Sequence, residues 1–166
     1  MHYCLSFRRK NMSRVAFIQS LWHKEIVDQF RDAFTKEMAG SVSIDYFEVP
    51  GVVEVPLIAR LCAKRQDIDA IVVAGLIVDH GVYRHEFVAQ SVLDACLAVQ
   101  RDFEKPVIYG LLTPQDFMSE GREAFFHEHF VTKGREAASA CRLTLANLQR
   151  LQQPAGGAES VTAACV

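Results

Sequence analysis

Residues 70–78 read AIVVAGLIV, a stretch with no polar side chain and rich in β-branched ones. It falls far short of the roughly 18 to 20 apolar residues that cross a bilayer. Continuous apolarity over such a length predicts a strand buried on both faces, the condition of a central strand in a parallel sheet. The rest of the chain is thereby constrained. Such a strand needs parallel neighbours reached by crossovers, and helices to cover it above and below.

The flanking sequence supplies both. Arg14 to Ser20 (RVAFIQS), Val42 to Glu48 (VSIDYFE) and Pro106 to Leu112 (PVIYGLL) read as three further strands. The second alternates, as an edge or half-covered strand does. The last has proline at its entrance, where a missing donor is tolerated. Between the strands run helical stripes. Ile26, Phe30, Phe34 and Met38 recur at fourfold spacing over Glu25 to Met38, with Val27 and Ala33 beside them. Glu54 to Lys64 carries Ile58, Leu61 and Cys62, with Pro56 in the first turn, where proline is accepted. Val88, Val92, Cys96 and Val99 mark a helix over His85 to Phe103. Two more helical segments are expected, around Phe117 to Phe130 and from about Gly134 to Leu151. The expected architecture is α/β in three layers, a four-stranded parallel sheet with helices on both faces.

Composition narrows the partners. With 18 basic and 20 acidic residues and no basic stripe, nucleic acid and membrane surfaces are poor candidates. The 166 residues suffice for one domain whose core needs neither disulfides nor metal. The five cysteines (Cys4, Cys62, Cys96, Cys141, Cys165) include no Cys-x-x-Cys pair. Three of them sit in apolar helical segments and read as small core residues of a cytoplasmic protein. Arg8, Arg9 and Lys10 follow the first apolar residues instead of preceding a longer greasy run, which is not the order of a signal peptide. A flexible extension is expected over 1–12, the folded domain over 13–151, and a flexible Gly/Pro-containing tail over 152–166.

Ligands of such sheets gather beyond the carboxyl ends of the strands. After the first strand comes Trp22, a helix-start residue or a flat platform for stacking a planar heterocycle. After the second, Pro50-Gly51 makes a turn and Glu54 falls in the first helical turn, either capping the helix or accepting hydrogen bonds from ligand hydroxyls. After the third comes the densest cluster, Asp79-His80-Gly81-Val82-Tyr83-Arg84-His85. A glycine-containing loop entering a helix offers free N–H groups to an anion, phosphate above all. His80 and Arg84 add cationic character and Asp79 subtracts some. His85, at the helix entrance, is placed to shuttle protons. His127 and His129 alternate around Glu128, but no third ligand is near in sequence, so no metal is expected there.

At these residues the chain resembles the lumazine synthase family. The match rests on Trp22 after the first strand, a Val-Pro-Gly-x-x-Glu-x-Pro element at Val49 to Pro56, and the loop and histidine from Gly81 to Phe87. An aromatic-Gly-x-Leu-Thr segment at Tyr109 to Thr113 and a Lys-Gly-x-Glu-Ala-Ala element at Lys133 to Ala138 complete it. The resemblance covers about Arg14 to Leu151 and implies a flavodoxin-like sandwich with strand order 2-1-3-4. It implies condensation of a ribitylamino-pyrimidine with a four-carbon sugar phosphate in riboflavin biosynthesis, without a cofactor. The steps are imine formation, phosphate elimination, enol tautomerisation and ring closure with loss of water.

The resemblance also distributes roles. The pyrimidine would stack near Trp22, with Tyr109 arriving from a neighbouring subunit. Val52, Val53 and the backbone of Leu76, Ile77 and Val78 would read the ring edges, while Glu54 holds the ribityl hydroxyls. Gly81, Val82 and Tyr83 would receive the phosphate, Lys133 would join the substrate-binding set, and His85 would be the base.

Two departures stand out. The loop Val78-Asp79-His80-Gly81 is one residue longer than the family's Ile-Arg-Gly and lacks its arginine. The family's phosphate-gripping arginine on the last helix aligns ambiguously with Arg122, His127 or His129, of which His127 is favoured. Both departures resemble the second bacterial type of the enzyme. The family's assembly implies pentamers, paired into decamers in some cases, with sites between subunits. The longer connection before Lys133 argues against a sixty-subunit shell. The alternative is a flavin- or lumazine-binding protein on the same scaffold with little catalysis. A flavodoxin-like electron carrier is disfavoured, because Ser20-Leu21-Trp22-His23 is not a Ser/Thr/Gly-rich phosphate cradle.

Overall fold

The central strand, β3 (Ala70–Leu76), is buried at every residue. Its neighbours explain why. It pairs in parallel with β1 (Ser13–Ser20) on one side and β4 (Val107–Leu112) on the other, and β1 pairs in parallel with β2 (Val42–Val49). The sheet order is therefore β2-β1-β3-β4, as the resemblance implied. A computed structural model describes residues 12–152 of the chain. The extension expected over 1–12 and the tail expected over 152–166 lie, apart from their inner ends, outside the described residues.

Helices α1 (Lys24–Met38) and α4 (Arg122–Gln152) cover one face of the sheet. Helices α2 (Val55–Lys64) and α3 (His85–Phe103) cover the other. The fourfold stripe on α1 does what its spacing predicts, since Ile26, Phe30, Phe34 and Met38 are all buried. Cys96 and Cys141 lie in opposite cores, where burial pushes each thiol up to about 11, so neither is a ready nucleophile. Among the described residues, no helix is long and apolar enough to cross a membrane.

Three expectations are corrected. Strand β3 ends at Leu76 rather than Val78, because after the Ile77 N–H reaches the Leu112 carbonyl at 2.9 Å the chain leaves the sheet. The second helix begins at Val55, with Val52–Glu54 forming a separate 3-10 turn before it. The two terminal helices are one helix of 31 residues, and Phe117 lies in the connection ahead of it.

The last correction has a clear physical cause. Gly134 resembles a helix boundary in sequence but serves as a contact point. A Cβ there would overlap the Phe30 carbonyl oxygen and lie 2.9 Å from the Ala33 Cβ, so α1 and α4 meet almost backbone to backbone. Gly110 on β4 is pressed against the same residue, since its Cβ would fall 2.5 Å from the Phe30 Cζ. One phenylalanine is thus wedged between two glycines, one below it in the sheet and one above it in α4.

The amino edge of the sheet is closed by charge. Arg14 grips Asp45 through two nitrogens, at 2.9 and 3.0 Å, and Arg65 joins Asp67 at 2.7 Å. The carboxyl edge is built differently. It opens into two cavities.

Candidate active site

Chain direction places four loops at the carboxyl edge, and each contributes chemistry. After β1 the chain turns into α1 through His23, whose φ of 52° and ψ of 45° put a non-glycine residue in the left-handed region. Such a conformation is uncommon and marks sites where the surroundings over-determine the backbone. The His23 carbonyl accepts from the N–H groups of Ile26 and Val27, which anchors the turn. Trp22, just before it, is 69% exposed, so its indole is a free face and not a core plug.

After β2, the Gly51 N–H donates to Glu54 Oε2 at 3.0 Å. The carboxylate caps its own turn in this way. Its other oxygen has no protein partner among the described residues, so capping and ligand binding are compatible roles. After β3, the Gly81 N–H donates to Asp79 Oδ1 at 2.7 Å, tightening the loop, and Gly81 itself has a φ of 72°. His85 opens α3 at the edge of this loop. Its Nδ1 lies 3.8 Å from Asp79 Oδ1 and 3.6 Å from Glu86 Oε2, and its side chain is only 19% exposed. Two carboxylates thus flank this side of the ring.

The first cavity, of about 500 Å³, lies over the ends of β1, β2 and β3. Trp22, Val52, Val53 and Glu54 form one wall, and Leu76, Ile77 and Val78 form another. Tyr83 and His85 close it from the third loop, together with His23, His80 and Arg84. This is a largely apolar slot with a few polar groups, suited to a planar heterocycle. The second cavity, of about 650 Å³, adjoins it between α3 and the loop after β4. Tyr109, Thr113, Asp116 and Asp79 line it, and His85 belongs to both cavities. Burial, with Cys96 alongside, pushes the Tyr109 phenol up to about 12, so it serves only as a neutral group.

Not every expected residue joins the first cavity. Tyr109 lines the second one instead. Gly81 and Val82 lie outside the walls of both. On α4, His127 is exposed, His129 stacks on Phe125 at 5.4 Å, and Lys133 pairs with Glu136 at 2.7 Å; none of these lines either cavity. The Arg122 guanidinium is partly engaged, its buried Nε having no partner among the described residues. It lies 5.0 and 4.9 Å from the Phe125 and Phe126 rings and donates to the Gln115 carbonyl at 3.2 Å.

The sequence reading passes over His23 altogether. Its imidazole lies near-parallel to that of His80, at 6.2 Å and 17°, and meets the Phe117 ring edge-on at 5.1 Å. Three strand-end loops are joined through this cluster. The only sequence signal is negative: α1 starts without a Ser, Thr, Asp or Asn to cap it.

Comparison with known proteins identifies the family. The family model described as 6,7-dimethyl-8-ribityllumazine synthase matches residues 12–150. The 6,7-dimethyl-8-ribityllumazine synthase 2 of Bradyrhizobium diazoefficiens is 49% identical over 142 residues, covering 84% of this chain and 86% of the relative. The protein of the same name from Pseudomonas syringae pv. tomato is 49% identical over 145 residues, covering 84% and 85%. The 6,7-dimethyl-8-ribityllumazine synthase of Rhodococcus erythropolis is 46% identical over 143 residues, covering 83% and 92%. With the family model spanning most of its length and these relatives at 46 to 49% identity, the chain belongs to the 6,7-dimethyl-8-ribityllumazine synthase family.

Proposed function

We propose that this transferase of riboflavin biosynthesis joins 5-amino-6-(D-ribitylamino)uracil to 3,4-dihydroxy-2-butanone 4-phosphate in the first cavity, with His85 as its acid–base group. The observation that carries the reading is the position of His85, in the wall shared by the apolar slot and its neighbour. The pyrimidine stacks on Trp22, the backbone around Val52, Val53 and Leu76 to Val78 meets the ring edges, and the free oxygen of Glu54 accepts from the ribityl hydroxyls.

The chemistry asks little of the protein beyond position and protons. The pyrimidine amine adds to the ketone, and water leaves to give an imine. A proton leaves the hydroxyl-bearing carbon next to the imine as the phosphate departs with the electron pair of its C–O bond, leaving an enol that tautomerises to a ketone. The ribityl-bearing nitrogen closes on that carbonyl with loss of a second water. Each step moves a proton, which one imidazole can take up and return. Holding two reactants in register supplies much of the remaining acceleration.

In assay, mixing the two substrates with the protein generates lumazine absorbance. Trp22→Ala raises the KM for the pyrimidine about tenfold through loss of stacking area. No product from the unaltered protein sinks the reading, and tight riboflavin binding without turnover replaces it with a flavin- or lumazine-holding role.

The same proposal includes assembly into pentamers or paired pentamers, in the cytoplasm. Tyr109 does not reach the Trp22 cavity within one chain, so a neighbour's Tyr109 would complete it, and Gly81 to Tyr83, His127 and Lys133 would act at subunit boundaries. Exposed Leu57, Leu61, Phe87 and Leu97 on and around α2 and α3 support such contacts. Sedimentation showing a stable monomer overturns the shared site.

A further inference from the structure

We infer that Asp79 is a positioning residue that sets the tautomer of His85, an inference that rests on the acid–base reading of that histidine above. A neutral imidazole carries its proton on one nitrogen and acts as a base only at the other. Which nitrogen keeps the proton depends on what that nitrogen faces. In His85 it is Nδ1 that faces carboxylate, with Asp79 Oδ1 at 3.8 Å and Glu86 Oε2 at 3.6 Å. An ionised carboxylate only accepts hydrogen bonds, so Nδ1 is the nitrogen that has to donate. The proton is thereby held on Nδ1, and Nε2 is left bare to take one from the reacting molecule.

The two carboxylates differ in how firmly they are held. Asp79 Oδ1 accepts the Gly81 N–H at 2.7 Å, which pins the side chain across the loop after β3. Glu86 has the longer side chain, is 70% exposed, and makes no hydrogen bond among the described residues. A side chain already pinned loses little freedom on meeting the ring. Asp79 therefore carries the role, although Glu86 stands slightly nearer. Asp79 also lies in the loop where this sequence departs from the family's Ile-Arg-Gly.

At 3.8 Å the approach of Asp79 to the ring is longer than a hydrogen bond. Contacts of this kind are often loose in an empty site and tighten once the reactants are in place. Both side chains line the second cavity, and closing the gap to about 3.0 Å takes only a small rotation of either. A carboxylate oxygen has lone pairs for two donors, so Asp79 Oδ1 can hold the loop and the ring at once.

The test uses the full chain and its two substrates. Asparagine at 79 keeps an acceptor for the Gly81 N–H but adds N–H donors, so the ring is then tolerated in either tautomer. Asp79→Asn is expected to lower kcat about tenfold and to leave both KM values within about twofold. The drop stays well short of the about 10⁴-fold known where a buried carboxylate orients a catalytic histidine, because Asp79 is half exposed. Asp79→Glu, which restores the charge, recovers most of the loss. Asp79→Ala also frees the loop, and adds a rise in the KM for the sugar phosphate. Nitrogen-15 spectra of histidine-labelled protein at about pH 8.5, above the ordinary imidazole range, read the tautomer directly. The His85 signals, identified by their loss in His85→Ala, are expected to show Nδ1–H in the unaltered protein and a mixture of forms in Asp79→Asn. A proton on Nε2 in the unaltered protein overturns the inference without any variant. An unshifted tautomer in Asp79→Asn overturns it too, as does a fall in kcat confined to Glu86→Gln, or a rise in both KM values with kcat unchanged. Absence of lumazine from the unaltered protein defeats the condensation reading separately, and the spectra still decide whether Asp79 sets the tautomer.

Discussion

Replacing His85 with alanine is expected to slow lumazine formation by about 10²- to 10³-fold while leaving assembly and pyrimidine binding in place. The size follows from its position. The ring belongs to both cavities, and two carboxylate oxygens lie 3.6 and 3.8 Å from its Nδ1, which orients it. Among the described residues, no other histidine lines both cavities. The loss should fall on kcat, because the pyrimidine contacts on Trp22 and Glu54 remain. Steady-state kinetics with each substrate varied in turn measure the split, and light scattering verifies the assembly. Turnover within about threefold of the unaltered enzyme would remove His85 from acid–base catalysis, since such groups contribute at least a hundredfold.

Gly134→Ala is expected to destabilise the fold by about 2 kcal/mol, although alanine is intrinsically the better helix former by about 1 kcal/mol. Two effects compete. Helix propensity favours the change, and the overlap of the new Cβ with the Phe30 carbonyl opposes it. The opposing atom is backbone, which cannot swing aside, so α1 and α4 must separate and give up packing around Phe30 and Ala33. Overpacking of this sort costs about 1 to 3 kcal/mol or more. Thermal unfolding should show a Tm lower by about 6 °C. The comparison substitution is Gly40→Ala, where a Cβ meets nothing within 4 Å but φ is 74°, so its cost comes from the backbone alone. A Gly134→Ala protein as stable as its parent would mean that the α1–α4 contact yields freely.

The sheet was legible because its signals are local. A strand covered on both faces has to be apolar throughout, so β3 identifies itself, and the stripe on α1 names its own buried face. The unbroken length of α4 was not legible. A glycine after a lysine looks like a helix start, and only the opposing α1 backbone reveals why glycine is needed there. The site was half legible in the same sense. Glu54 and His85 sit at helix entrances, where the type of residue suggests the role. His23 and His80 lie 57 positions apart in the chain and meet only because β1 and β3 are sheet neighbours. Likewise, nothing local tells that Trp22 and Tyr109 open into different cavities of one subunit.

The wedge of Phe30 between Gly110 and Gly134 also bears on how such a chain can drift. A side chain added at either glycine is blocked by the same phenylalanine, and shrinking the phenylalanine alone leaves a void between β4 and α4. A smaller residue at 30 relieves only part of the crowding at 110, where the Val73 carbonyl oxygen also lies 2.9 Å from an added Cβ, and none of it at 134, where the obstacle is the backbone of residue 30. Positions 30 and 110, whose side chains would touch, are therefore coupled and their substitutions non-additive, while 134 is fixed by backbone. Both glycines should therefore resist replacement more than the residues around them, because backbone oxygens stand against an added Cβ at each.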